Sequence, residues 1–100
     1  MEETSIVASR LKEARLRAGL SQKQLGIQAG INQFSASARI NQYERGKHTP
    51  DLQTLSKLAA VLDTPVPYFF CEDNELAEFI CQFAALPKAK KKKVLASLQA

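Results

Sequence analysis

The sequence predicts an all-α chain, a set of short helices followed by a C-terminal helical hairpin. Apolar residues recur at helical spacing along almost the whole chain, while sustained two-residue alternation and the hairpin dipeptides Asn-Gly and Asp-Gly are absent. Glycines, prolines and capping residues fall where short helices would start and stop. One hundred residues, 45% hydrophobic and 24% charged, match one ordinary globular domain that can bury one modest core.

Val7, Leu11, Ala14 and Ala18, followed by Gly19, predict a first helix over 5–18. Ser21 and Gln24 have capping-box spacing, so a second helix should start there and stop at Gly30. A third should span 33–45 with Asn32 as a candidate cap, Ala36, Ile40 and Tyr43 on one face, and Gly46 at its end. Thr49-Pro50 breaks the chain. Asp51 then caps a fourth helix whose inner face is expected to carry Leu52, Leu55, Leu58, Ala59 and Leu62, and Pro65 and Pro67 end it. A short fifth helix is expected at 66–70. Leu76, Phe79, Ile80 and Phe83 then repeat at helical spacing, Leu86-Pro87 turns the chain, and Val94, Leu95 and Leu98 belong to a final amphipathic helix. The expected division is 1–70 as the main body and 71–100 as the hairpin extension.

Charge and composition narrow the function. The chain carries a net +4, and all of it falls in residues 1–50, where eight Lys/Arg face four Asp/Glu. A basic face on a small domain points to a polyanionic partner. No apolar run approaches the roughly 18 residues needed to span a bilayer, and the start at 1–3 is acidic where a signal peptide would be basic, so a cytoplasmic, membrane-free protein is expected. Cys71 and Cys81 with the lone His48 fall short of a structural zinc set, so no metal is expected and both thiols read as reduced and half-buried. One histidine, scattered carboxylates and no phosphate-cradling glycine loop leave no catalytic set and call for no cofactor.

A helix-turn-helix needs a small residue in its first helix, for close packing, and a glycine at the turn; Gly26 and Gly30 fit. Ile40 and Tyr43 supply the two inward residues of its second helix. The stretches Leu16-Arg17-Ala18-Gly19-Leu20-Ser21-Gln22-Lys23-Gln24-Leu25 and Ile40-Asn41-Gln42-Tyr43-Glu44-Arg45-Gly46-Lys47 resemble the phage-repressor and Cro-like family, also called the xenobiotic-response-element family. The resemblance covers about residues 5–70. It implies a five-helix, lambda-repressor-like DNA-binding domain that reads the major groove with its third helix. One departure stands out, because Gly30 and Ile40 lie about four residues further apart than the family pattern, nearly one helical turn. The extra residues, within 32–36, either lengthen the third helix or make a longer turn with Phe34 tucked against the second helix.

At about 100° per residue, the side opposite Ile40 and Tyr43 carries Ser35, Ala38, Asn41, Gln42 and Arg45, with Ser37 and Arg39 on its flanks. Such a face is also what any solvated helix shows; the resemblance makes it a reading surface. By family match Ser37, Ala38 and Gln42 take base-reading positions, and Gln22 meets the backbone and braces the third helix. Gln42 suits adenine, Arg39 guanine, and Ala38 a thymine methyl. Lys23, Lys47 and His48 are placed to meet phosphates, beside the amino end of the second helix. The resemblance also implies a partly buried ion pair between Arg15 and Glu44. Lys90, Lys91, Lys92 and Lys93 cover several faces of one helix and read first as a solvated surface.

Two function classes follow. The first is a sequence-specific regulator of transcription, a repressor or activator that binds a palindromic or near-palindromic operator on double-stranded DNA as a homodimer. Leu76, Phe79, Ile80, Phe83, Val94, Leu95 and Leu98 would form the dimer interface. The second is a protein-interaction module of the same build, an antitoxin or adaptor.

Overall fold

Most helices of the chain begin where a side chain can take up the free amides of a first turn. In the computed structural model, which describes residues 5–99, the Ser5 hydroxyl accepts from the Ala8 amide and opens α1, Ile6–Arg17. Ser21 and Gln24 form the reciprocal capping box of α2, Gln22–Gln28, at 3.0 and 2.8 Å. Asp51 opens α4, Leu52–Val61, and Asp73 opens α5, Asn74–Ala84, each accepting from the amide three residues on. The Thr54 amide and hydroxyl hold the Asp51 carboxyl below the usual carboxylate range. Between them lie α3, Ala36–Glu44, and the short fifth helix expected at 66–70, which is a 3-10 helix, Val66–Phe70. The last helix, α6, Lys88–Ser97, follows Pro87 without a side-chain cap. The acidic start at 1–3 lies outside the described residues. Among the described residues no strand forms, and no helix is long and apolar enough to cross a membrane.

The core is made where α1, α2, α3, α4 and the 3-10 helix converge. Leu11, Leu25, Ile40, Leu55, Leu58, Tyr68 and Phe69 are fully buried, and Val7, Ala14, Tyr43, Ala59 and Leu62 pack with them. Each full side-chain burial of this size contributes roughly 1.5–3 kcal/mol. Two residues expected inside are not. Ala18 caps the end of α1 and is exposed, and Leu52 is 65% exposed because it opens α4 before that helix reaches the core.

The extra residues before α3 lengthen the turn rather than the helix. The Asn32 side-chain oxygen accepts from the Phe34 amide at 2.8 Å, and its carbonyl accepts from the Ser35 amide at 3.0 Å. This Asx turn competes with helix, so α3 starts at Ala36 and not near 33. Phe34 does not tuck against α2; it stands 89% exposed. Gly30 makes the turn possible with a φ of +92°.

The hairpin is fastened to α1 rather than free of it. Arg10, only 4% exposed, donates from Nε to the Cys71 carbonyl at 2.9 Å. From Nη2 it donates to the Glu72 carbonyl and the Asn74 side chain. Its guanidinium also lies over the Tyr68 ring, whose other cation neighbour is Arg17, and the Tyr68 hydroxyl donates to Glu13. Burial, then the hydrogen bond and charge of Glu13, push the Tyr68 phenol up to about 12. Ala77 of α5 joins the core, and Ile80 and Cys81 pack partly against it. Among the described residues beyond Pro87 none is buried, and α6 is not the amphipathic helix expected, because consecutive lysines at 90–93 step round its whole circumference. Cys71 and Cys81 are free, half-buried thiols.

Helix packing tests one constraint directly. A Cβ added at Gly26 would lie 2.7 Å from the Ala36 Cβ and 3.0 Å from its Cα. Gly26→Val should therefore push α2 and α3 apart and cost about 1–3 kcal/mol in urea unfolding. Unchanged stability would show that the two helices can separate freely.

Candidate nucleic-acid interface

Glu44 ends α3 buried among polar partners. Arg15 of α1 donates to it twice, from Nε to Oε2 at 2.5 Å and from Nη2 to Oε1 at 3.0 Å. Such a fork matches the guanidinium to the carboxylate plane. The remaining Arg15 nitrogen donates to the Leu20 carbonyl at 2.9 Å. Gln22, at the first turn of α2, donates from one nitrogen to Glu44 Oε1 at 3.1 Å and to Asn41 Oδ1 at 3.2 Å. One network thus joins α1, α2 and α3, and among the described residues no buried side-chain polar atom lacks a partner.

The network holds the inner side of α3, and the outer side carries the residues singled out from the sequence. Ser37, Ala38, Arg39, Gln42 and Arg45 are exposed. Asn41 is half-buried with its side-chain oxygen taken by Gln22, so it joins the brace. Ser35 is also half-buried, and its hydroxyl donates to the Asn32 carbonyl at 3.4 Å within the turn. After α3, Gly46 takes a φ of +75° and the amides of Lys47 and His48 both donate to the Gln42 carbonyl. This brings Lys47 and His48, both exposed, beside the end of the helix. Arg39, Gln42, His48, Thr49 and Thr54 line a shallow groove between α3 and the start of α4. Lys23 is exposed on α2.

The remaining residues lie elsewhere. Leu76, Phe79, Leu95 and Leu98 are exposed on the hairpin, Phe83 and Val94 are half-buried, and Ile80 leans on the core of its own chain. The Phe79 and Phe83 rings stack at 5.7 Å, and the Lys91 ammonium sits over Phe83. Arg10, Glu13, Arg17 and Tyr68 are not among the sequence candidates. Their only signal is the spacing of Arg10, Glu13 and Arg17 along one side of α1, which any charged helix face could share.

The helix-turn-helix family pattern matches residues 11–69. A solved structure described as the transcriptional regulator BswR is similar over 92% of this chain and 91% of that one, with 48% sequence identity and a TM-score of 0.88. No match was found among curated protein sequences. The chain belongs to the helix-turn-helix family, in its phage-repressor-like, xenobiotic-response-element form. It is a DNA-binding regulator of transcription, not an enzyme.

The ion pair has a measurable signature. Glu44→Ala leaves the Arg15 guanidinium buried without its carboxylate and should cost about 3–5 kcal/mol in chemical denaturation. Replacing both partners together, Arg15→Met with Glu44→Leu, should cost less than Glu44→Ala alone. A double-variant cost equal to the sum of the two single-variant costs would mean that the pair is not coupled.

Proposed function

We propose that this protein is a sequence-specific, double-stranded DNA-binding regulator that works in the cytoplasm as a homodimer, with α3 in the major groove. The observation that carries the reading is the mounting of α3. Its inner side is held by directional bonds from two other helices, while Ser37, Ala38, Arg39 and Gln42 stand exposed on the outer side. A helix that reads base edges needs this rigidity, because a misplaced donor loses its bidentate geometry. Gln42 is assigned to an adenine, Arg39 to a guanine and Ala38 to a thymine methyl, with Ser37 beside them. Lys23, Arg45, Lys47 and His48 are assigned to phosphates, with Gln22 and Asn41 bracing the helix and Ser35 at its entry.

Residues 1–70 form the DNA-binding body in this reading, and 71–100 the extension that pairs two copies. Leu76, Phe79, Leu95 and Leu98 are large apolar side chains left exposed on one small extension, which is the signature of a surface that meets another chain. Phe83, Val94 and Ile80 would border that contact. A symmetric pair would present two copies of α3 and favour a palindromic or near-palindromic operator with half-sites about one helical turn apart.

Binding to a panel of single-base operator variants tests the reading of DNA. Gln42→Ala should cost about 1–3 kcal/mol on the best site and flatten preference at one base pair per half-site, with the salt slope unchanged. Lys47→Ala should instead weaken binding to all sequences alike and lower the salt slope by about one unit. A Gln42→Ala preference profile identical to that of the unmodified protein removes Gln42 from the reading set. If titration with random duplex DNA at two salt concentrations shows no salt-sensitive binding, the interaction-module reading takes over.

Light scattering tests the dimer. Truncation after Phe70 would strip Arg10 of its Cys71, Glu72 and Asn74 acceptors, so the point variants Phe79→Asp and Leu98→Asp are the cleaner probe. Both should convert a dimer to monomer at micromolar concentration without unfolding it. A dimer that persists in both variants places the interface elsewhere.

A further inference from the structure

Among the exposed large hydrophobic residues described, Phe34 is the most exposed, at 89%. It belongs neither to the core nor to the hairpin, and the base-reading assignment leaves it unused. Its surroundings are ordered. The Asn32 side chain holds the Phe34 amide, the Asn32 carbonyl holds the Ser35 amide, and the Ile31 amide donates to the Gly26 carbonyl at 2.9 Å. Two residues after Phe34, Ala36 is pressed against Gly26. A phenyl ring is thus presented to water on a turn braced from both ends.

The position of the turn says what the ring would meet. Chain length limits the Phe34 and Ser37 Cα atoms to about 11 Å apart, and in this class of motif the first residues of the recognition helix meet base edges. The ring is uncharged and has no donor or acceptor, so a phosphate gains nothing from it. In the major groove the apolar partner for such a ring is the 5-methyl group of thymine.

We propose, on the reading that α3 enters the major groove, that Phe34 is a further specificity residue of this protein, packing on a thymine methyl at the edge of each half-site. The lengthened turn then extends the reading surface beyond the amino end of α3. Because the backbone of the turn is already braced, little of it has to be ordered on binding.

The test starts from the best site selected out of a random duplex pool, with affinity read by fluorescence anisotropy for the full chain. Phe34→Ala should fold normally, since the side chain is exposed, and should bind that site weaker on the order of tenfold, with an unchanged salt slope. Deoxyuridine in place of one particular thymidine per half-site should weaken the unmodified protein by a similar factor and add nothing to the Phe34→Ala loss. Affinity unchanged in Phe34→Ala overturns the proposal, as does a Phe34→Ala loss that every uracil substitution leaves additive. A loss that is equal on random DNA, or that follows a change in oligomeric state, overturns it as well. If the unmodified protein selects no site at all, the reading by α3 fails and this inference with it. If it selects a site through Gln42 while Phe34→Ala is neutral, only this inference fails.

Discussion

The buried pair of Arg15 and Glu44 sets the frame on which the rest of the structure depends. Taking two charges out of water is costly, and the arrangement is supported because every side-chain nitrogen of Arg15 and both carboxylate oxygens of Glu44 have a partner. Glu44 receives Arg15 on both oxygens and Gln22 on one, while the third Arg15 nitrogen reaches the Leu20 carbonyl. Apolar packing alone tolerates sliding and rotation, but these bonds are directional. They tie the end of α3 to α1 and to the first turn of α2, so the outward face of α3 has one orientation.

A steric condition complements this electrostatic one. The absence of a side chain at Gly26 lets Ala36 approach α2 at van der Waals distance, and that approach is where α3 begins. The residues inserted ahead of it cannot join the helix on those terms, because the Asn32 turn already uses the Phe34 and Ser35 amides. Helix length and the display of Phe34 are therefore set together by that contact and by the Asn32 turn.

The first helix also reaches in the other direction. Five residues before Arg15, Arg10 points to the start of the extension and holds the Cys71 and Glu72 carbonyls and the Asn74 side chain. The two arginines leave α1 on different sides, about 140° apart at 100° per residue. One helix thus carries both the mount of the proposed reading surface and the attachment of the proposed dimer surface. Any reorientation of α5 would have to break bonds to the same rigid helix that holds α3.

Local chemistry explains why so much was legible in the sequence. The capping box at Ser21 and Gln24, the Asp51 cap, the glycines at 19, 30 and 46, and the apolar spacing of Leu11, Ile40, Leu55 and Leu58 act within a few residues of themselves. They determine an all-helical chain with its breaks in nearly the right places. The family motif added the Arg15 and Glu44 match and the outer face of α3. What only the tertiary structure decided depends on distant residues. Whether the insertion became helix or turn rested on where Ala36 meets Gly26 as well as on the Asn32 turn. The burial of Arg10 rested on carbonyls about sixty residues away, for which sequence spacing gives no sign. Phe34 could have anchored the turn or faced water, and the braced backbone around it left the ring outside. Periodicity reports which face of a helix is apolar; which neighbour covers that face is settled only when the helices pack.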